Sequence, residues 1–107
     1  MRVTIAVVKV LSALLEEPDR FRYGLELMAV TSLPSGTLYP LLRRMQDAGW
    51  VTAEWERLDP VAAGRPARRY YRLTAEGIQQ AQQALAELRA ATTVLRPADA
   101  PRPRPAW

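Results

Sequence analysis

The sequence has no cysteine, which excludes disulfides, thiolate metal sites and cysteine nucleophiles together. It has no histidine either, and so lacks the commonest general base and the commonest zinc ligand. Glycine is scarce, with five residues, and no glycine-rich phosphate loop follows a strand. No apolar run approaches the roughly 18 residues that a membrane span needs, and the first residues do not read as a signal peptide. These absences predict a soluble, cytoplasmic chain that is not an enzyme and that binds no metal or cofactor.

What is present fits one domain. The chain has 107 residues, 49% of them hydrophobic, a content that allows a core of its own. Fifteen basic residues against eleven acidic ones give a formal charge of +4, with a pI near 10.1. Lys9 is the sole lysine, so the positive charge is almost entirely arginine. Forked guanidinium groups suit phosphate oxygens and guanine edges. A GC-rich genome also inflates Arg, Ala and Pro, so position has to decide what the charge is for.

Along the chain, Val3 to Leu15 is dense in apolar residues at helical spacing, with Val3, Val7, Leu11 and Leu14 on one stripe. A helix apolar over most of its circumference needs cover on more than one side. Asp19 to Arg22 reads as a polar turn. A short helix follows over 23–30, with Leu25, Met28 and Leu27 as its inward candidates. Residues 31–36 read as a turn, and a third helix starts near Ser35 or Gly36 and runs to about Ala48. Leu38, Leu41, Leu42 and Met45 share its inner face, and Gly49 is placed to end it. Gly36, Pro40, Arg43 and Asp47 centre the opposite face, with Thr37 and Tyr39 on its flanks. This is a helix-turn-helix pattern, whose second helix meets DNA by its start.

Residues 50–55 alternate as a strand should, and 68–73 read as a second strand. Residues 59–66, with Pro60, Gly64 and Pro66, read as irregular. The result is a long hairpin with a basic tip, Gly64-Arg65-Pro66-Ala67-Arg68. Thr74 caps a last helix reaching about Leu95. Ile78, Ala81, Leu85, Leu88, Thr92 and Leu95 form a seam of alternating three- and four-residue steps, the pattern of helix-on-helix packing. From Arg96 onward proline dominates, which predicts a disordered or polyproline tail ending in Trp107.

Three stretches resemble the PadR family of bacterial transcription regulators. Residues 36–45, GTLYPLLRRM, are similar to that family's GTLYPLLRRL recognition helix. Residues 64–77, GRPARRYYRLTAEG, are similar to its wing and the start of its C-terminal helix, and Tyr23-Gly24 to the start of its second helix. The resemblance implies an α+β winged helix-turn-helix: a DNA-binding unit over 1–73, a dimerisation helix over 74–95 and the tail over 96–107. It implies a homodimer on a pseudo-palindromic operator of double-stranded DNA, acting as a repressor. Drug-binding members carry an aromatic residue in the dimer-forming helix, and this chain has none between Ala75 and Leu95.

The expected DNA contacts are therefore Ser35, Gly36, Thr37, Tyr39, Pro40, Arg43, Gly64, Arg65, Pro66 and Arg68. The expected dimer residues are Val3, Val7, Leu11, Ile78, Leu85, Leu88, Thr92 and Leu95. Blander roles compete. Tyr39 could close the core, Arg44 could form a surface ion pair, and Arg69 and Arg72 could shield an exposed strand face. Trp50 and Trp55 read as core or interface aromatics, and Glu16-Glu17, Glu54 and Glu56 as solvated carboxylates. Trp50, Trp55 and the first helix could also enclose an aromatic or lipophilic effector between subunits. An alternative function is a protein-docking winged helix without specific DNA binding.

Overall fold

The computed structural model describes residues 1–93; Leu95, the proline-rich segment and Trp107 lie outside the described residues. The elements run α1 (Ile5–Leu15), β1 (Arg22–Tyr23), α2 (Gly24–Thr31), α3 (Ser35–Asp47), β2 (Val51–Trp55), α4 (Pro60–Ala63), β3 (Arg69–Leu73) and α5 (Ala75–Thr93). The sheet has three antiparallel strands in the order β1-β3-β2. This is an α+β winged helix-turn-helix with a long C-terminal helix.

The core is built from one face of every long helix. Val7, Val10, Leu11 and Leu14 of α1 meet Leu27 of α2 and the Leu38, Leu41, Leu42, Met45 stripe of α3. Trp50, Val51, Tyr71 and Leu73 close it from the sheet, and Ala81 and Ala84 from α5. On α2 the inward residue is Leu27, fully buried, whereas Leu25 is 62% exposed and Met28 half-buried. The reason is the start of the helix: Gly24 is itself buried and begins α2, which turns the adjacent Leu25 outward.

Two local expectations are corrected. Arg22 does not end a polar turn but joins the sheet opposite Tyr71 and is buried. Its guanidinium donates to the Ala13 carbonyl (2.7 Å) in the last turn of α1 and to Glu26 (3.4 Å) on α2. A buried cation so placed satisfies a helix-end carbonyl and complements the α1 dipole. Residues 59–66 are not irregular throughout, since Pro60 opens the single-turn helix α4, where a missing N–H costs nothing. Asp59 caps it by accepting from the Val61 amide (3.0 Å), and Gly64, at φ +68°, closes it.

The end of α3 sets where the sheet begins. Gly49, at φ +79°, donates to the Gln46 carbonyl, and the Trp50 amide donates to Met45. This paired closure needs a left-handed residue, which glycine supplies without a Cβ clash. The Trp50 carbonyl then accepts from the Thr74 amide (3.0 Å). Thr74 caps α5 through its hydroxyl, which donates to the Gly49 carbonyl (2.6 Å) and accepts from the Gly77 amide (3.0 Å). A Cβ on Gly77 would collide with the Trp50 carbonyl, backbone against backbone. Gly77→Ala should therefore cost about 1–3 kcal/mol, as overpacking does. Urea denaturation monitored by Trp fluorescence checks this; an unchanged midpoint would contradict it.

Candidate nucleic-acid interface

The outward face of α3 carries the polar and small residues that the inner face leaves over. Ser35, Gly36, Thr37, Pro40 and Arg43 are all exposed. The helix starts at Ser35, so Pro40 lies one turn further in than a first-turn proline would, and the Gly36 carbonyl has no amide four residues on to accept from. The Arg43 side chain is 77% exposed and sits 3.5 Å from Asp47, an exposed i,i+4 pair of little energetic weight. Arg44 donates to the Pro40 carbonyl (3.5 Å); the ion pair on this helix belongs to Arg43.

Tyr39 does two things at once. It is 41% exposed, yet its ring and hydroxyl lie against Gly24, where any Cβ would collide with them. Packing against Gly24 and facing outward are thus not exclusive for this side chain, which is not part of the hydrophobic core. The Tyr23-Gly24 pair follows from the same contact, because glycine alone leaves room for the ring. Tyr39 also lines a cleft of about 340 Å³ shared with Leu25, Trp55, Arg68, Arg69 and Tyr71. The flank of α3 and the base of the β2–β3 wing therefore face one another across a single opening. Burial pushes the Tyr71 phenol above its usual range, so it stays protonated.

The wing differs from its expected form. Arg65 is not an extended basic tip: its fork grips the Glu56 carboxylate at 2.7 and 3.1 Å. The tip is instead α4, with Val61 89% exposed. Gly64 and Pro66 are exposed beside it. Arg68, at the base, lies 4.8 Å over the Tyr23 ring, Arg69 lies 5.1 Å over Trp55, and Arg72 lies 4.5 Å over Phe21. Each guanidinium gains from the negative face of a ring while keeping edges toward solvent. Glu56, read from sequence as merely solvated, is the most heavily bonded carboxylate of the wing, and Trp55, at 62% exposed, is no core residue. Trp50 is buried in the core.

The dimer candidates divide. Val7 and Leu11 are buried within the chain itself, at 1% and 0%, and present nothing to a partner. The apolar residues that α1 does expose are one helical step away, with Ile5 64% exposed and Val8 half-buried. Val3 is exposed, Ile78 and Leu85 are half-buried, and Leu88 and Thr92 are exposed. Ile5, Val8, Val30, Leu85 and Leu88 line an open groove of about 530 Å³ between α1, the end of α2 and α5. Neither Trp50 nor Trp55 reaches it.

The sequence profile of the PadR-like family of transcriptional regulators matches residues 10–83. The chain belongs to that family. No curated protein is similar enough in sequence to match it. Among solved structures it is similar to a PadR family transcription regulator from Clostridium difficile, at 26% identity and TM-score 0.66, covering 82% of this chain and 93% of that one. It is also similar to the smu.1704 protein of Streptococcus mutans, at 21% identity and TM-score 0.67, covering 89% and 88%. A third likeness is to NadR in complex with 4-hydroxyphenylacetate, at 21% identity and TM-score 0.67, covering 88% of this chain and 64% of NadR. This PadR-like chain is a DNA-binding transcriptional regulator. No helix among its described residues is long and apolar enough to cross a membrane.

The wing carboxylate also gives the chain a pH signature. Hydrogen bonding from Arg65, with help from Tyr70 and the Arg68 amide, lowers the Glu56 pKa from 4.5 to about 2. A carboxyl whose pKa falls on folding stabilises the fold fully above its unfolded value, and that stabilisation disappears as pH drops through the folded value. Comparing thermal unfolding of the wild type and Glu56→Gln should show a deficit that is constant above pH 4.5 and closes towards pH 2. A deficit of the same size at both ends would contradict the assignment.

Proposed function

We propose that this PadR-like regulator is a repressor that binds a pseudo-palindromic operator as a homodimer. The observation that carries the reading is the shared cleft. One helix presents Tyr39 on its solvent-facing flank, and the wing presents Arg68 across from it. Ser35, Gly36 and Thr37 are small enough at the start of α3 to approach a major groove closely, with Pro40 and Arg43 one to two turns further along. Arg43 would take a guanine edge or a phosphate; phosphate and sugar contacts are the more numerous class in such complexes. Gly64, Pro66 and Arg68 would add backbone or minor-groove contacts beside it.

The second subunit covers the apolar flank that one chain leaves open, formed by Val3, Ile5, Val8, Leu85 and Leu88. Two-fold pairing of this kind places the recognition helices in successive major grooves, about one helical turn apart. The same groove is the place for an aromatic or lipophilic effector that releases the operator, a reading supported by the aromatic ligand of NadR. Its apolar lining is aliphatic, without an aromatic ring, and Lys9, Ser12, Glu16, Thr31 and Ser32 stand among it, so such a ligand would be held by shape and polar contacts and not by ring stacking.

A gel-shift titration with DNA from immediately upstream of the chain's own gene tests this. A discrete, competitor-resistant shift is expected for the wild type and should be lost in the Arg43→Ala/Arg68→Ala variant. If the dimer neutralises about eight phosphates, affinity should fall by roughly four orders of magnitude between about 50 and 200 mM salt. No shift at low salt from a folded dimer would contradict the reading and favour a protein-docking module.

A further inference from the structure

We infer that Glu56 is the positioning residue of the wing, and that Arg65 serves as its counter-ion instead of contacting phosphate, an inference that rests on the DNA-binding reading above. Glu56 follows β2 directly, and its amide donates to the Arg68 carbonyl (2.8 Å), which continues the hairpin ladder by one step. Its carboxylate then gathers the other side of the wing. Oε1 accepts from Arg65 Nη1 (2.7 Å) and from the Arg68 amide (3.4 Å), and Oε2 accepts from Arg65 Nη2 (3.1 Å) and from the Tyr70 hydroxyl (3.1 Å).

Two consequences follow from this count. First, Arg65 spends both of its terminal nitrogens on Glu56, and Nη1 also donates to the Pro66 carbonyl (3.2 Å). That is the fork a phosphate would use. A phosphate could take it only by leaving the Glu56 carboxylate without its cation next to the polyanion, which is repulsive on both counts. Second, the loop between Glu56 and Arg65 has only the local hydrogen bonds of α4 to hold it otherwise. Asp59 to Gly64 are all exposed, including Val61, so burial of apolar area contributes almost nothing there. The four hydrogen bonds on one carboxylate replace the missing core.

The same carboxylate reaches the recognition helix by contact. Tyr70, which donates to Glu56, packs edge-on against Tyr23 at 5.7 Å. Tyr23 precedes Gly24, the residue covered by the Tyr39 ring. Arg68 lies over the Tyr23 ring as well, so the guanidinium given a DNA role above is held by the residues that Glu56 fixes. The spacing between wing and helix α3 thus depends on a negative charge set within a basic surface.

The test uses the full chain with Glu56→Gln, Arg65→Ala and their double variant, and Arg68→Ala as the phosphate-contact reference. Binding to a mixed-sequence duplex and to the duplex upstream of the chain's own gene is followed by fluorescence anisotropy between about 50 and 200 mM salt. Amide exchange of residues 57–66 is followed by mass spectrometry in parallel. Both single variants should weaken binding by roughly tenfold, and the double variant should be no worse than either, because the two residues act as one unit. Their salt slopes should match wild type, while Arg68→Ala should flatten the slope by roughly two per dimer. Wing amides should exchange faster, and equally so, in all three clamp variants.

A flattened slope in Arg65→Ala, with Glu56→Gln binding as tightly as wild type or tighter, would make Arg65 a phosphate contact and overturn the inference. Unchanged exchange in Glu56→Gln would overturn it too. If the wild type binds neither duplex, the DNA-binding reading fails, and the exchange data alone decide whether Glu56 and Arg65 clamp the wing.

Discussion

Four elements meet at one residue, Thr74. Thr74 donates to the carbonyl that follows α3, accepts from the amide three residues into α5, and through its own backbone amide holds the carbonyl from which β2 begins. The end of the recognition helix, both strands of the wing and the C-terminal helix are therefore fixed to one another within a few ångströms. Glycines stand on both sides of the junction for different reasons. Gly49 supplies a left-handed turn, and Gly77 supplies absence of volume where α5 crosses the Trp50 carbonyl. A regulator that reads DNA with a helix and a wing needs these two held at constant spacing, and a rigid junction at their common root provides it.

The arginines divide into distinct tasks, which changes what the net charge means. Arg22 is buried and ties α1 to α2. Arg65 is committed to Glu56. Arg68, Arg69 and Arg72 each lie over an aromatic ring along the sheet, and Arg43 stands exposed on α3. These pairings leave the net charge of +4 unchanged, but fewer of the fifteen basic residues are available to DNA than the composition implies.

Much of this was legible from residue order. The 38, 41, 42, 45 stripe of α3, its glycine stop and the Thr74 cap each rest on a local rule, and the structure contains all three. What escaped was non-local. Residue 56 looked solvated because its partners at 65, 68 and 70 come from the other arm of the hairpin, and only the register that pairs Trp55 with Arg69 brings them together. Arg22 looked exposed because nothing nearby in sequence reveals that α1 ends above it. Val7 and Leu11 looked available to a partner because helical spacing gives a stripe without saying which neighbour covers it. Here the chain's own core covers that stripe, and the face offset by one step is left open. At the wing tip the basic stretch 64–68 reads as the tip, whereas Asp59, Pro60 and Gly64 fold a small apolar turn ahead of it.

The proposed function requires the recognition helix and the wing to act as one reading surface, repeated by two-fold symmetry. Hydroxyl-radical footprinting of the dimer on the DNA upstream of its own gene measures this most directly. Two protected segments about one helical turn apart, each with a flanking protection on the wing side, are expected. A footprint confined to one half-site, or protection spread evenly along the duplex, would contradict it.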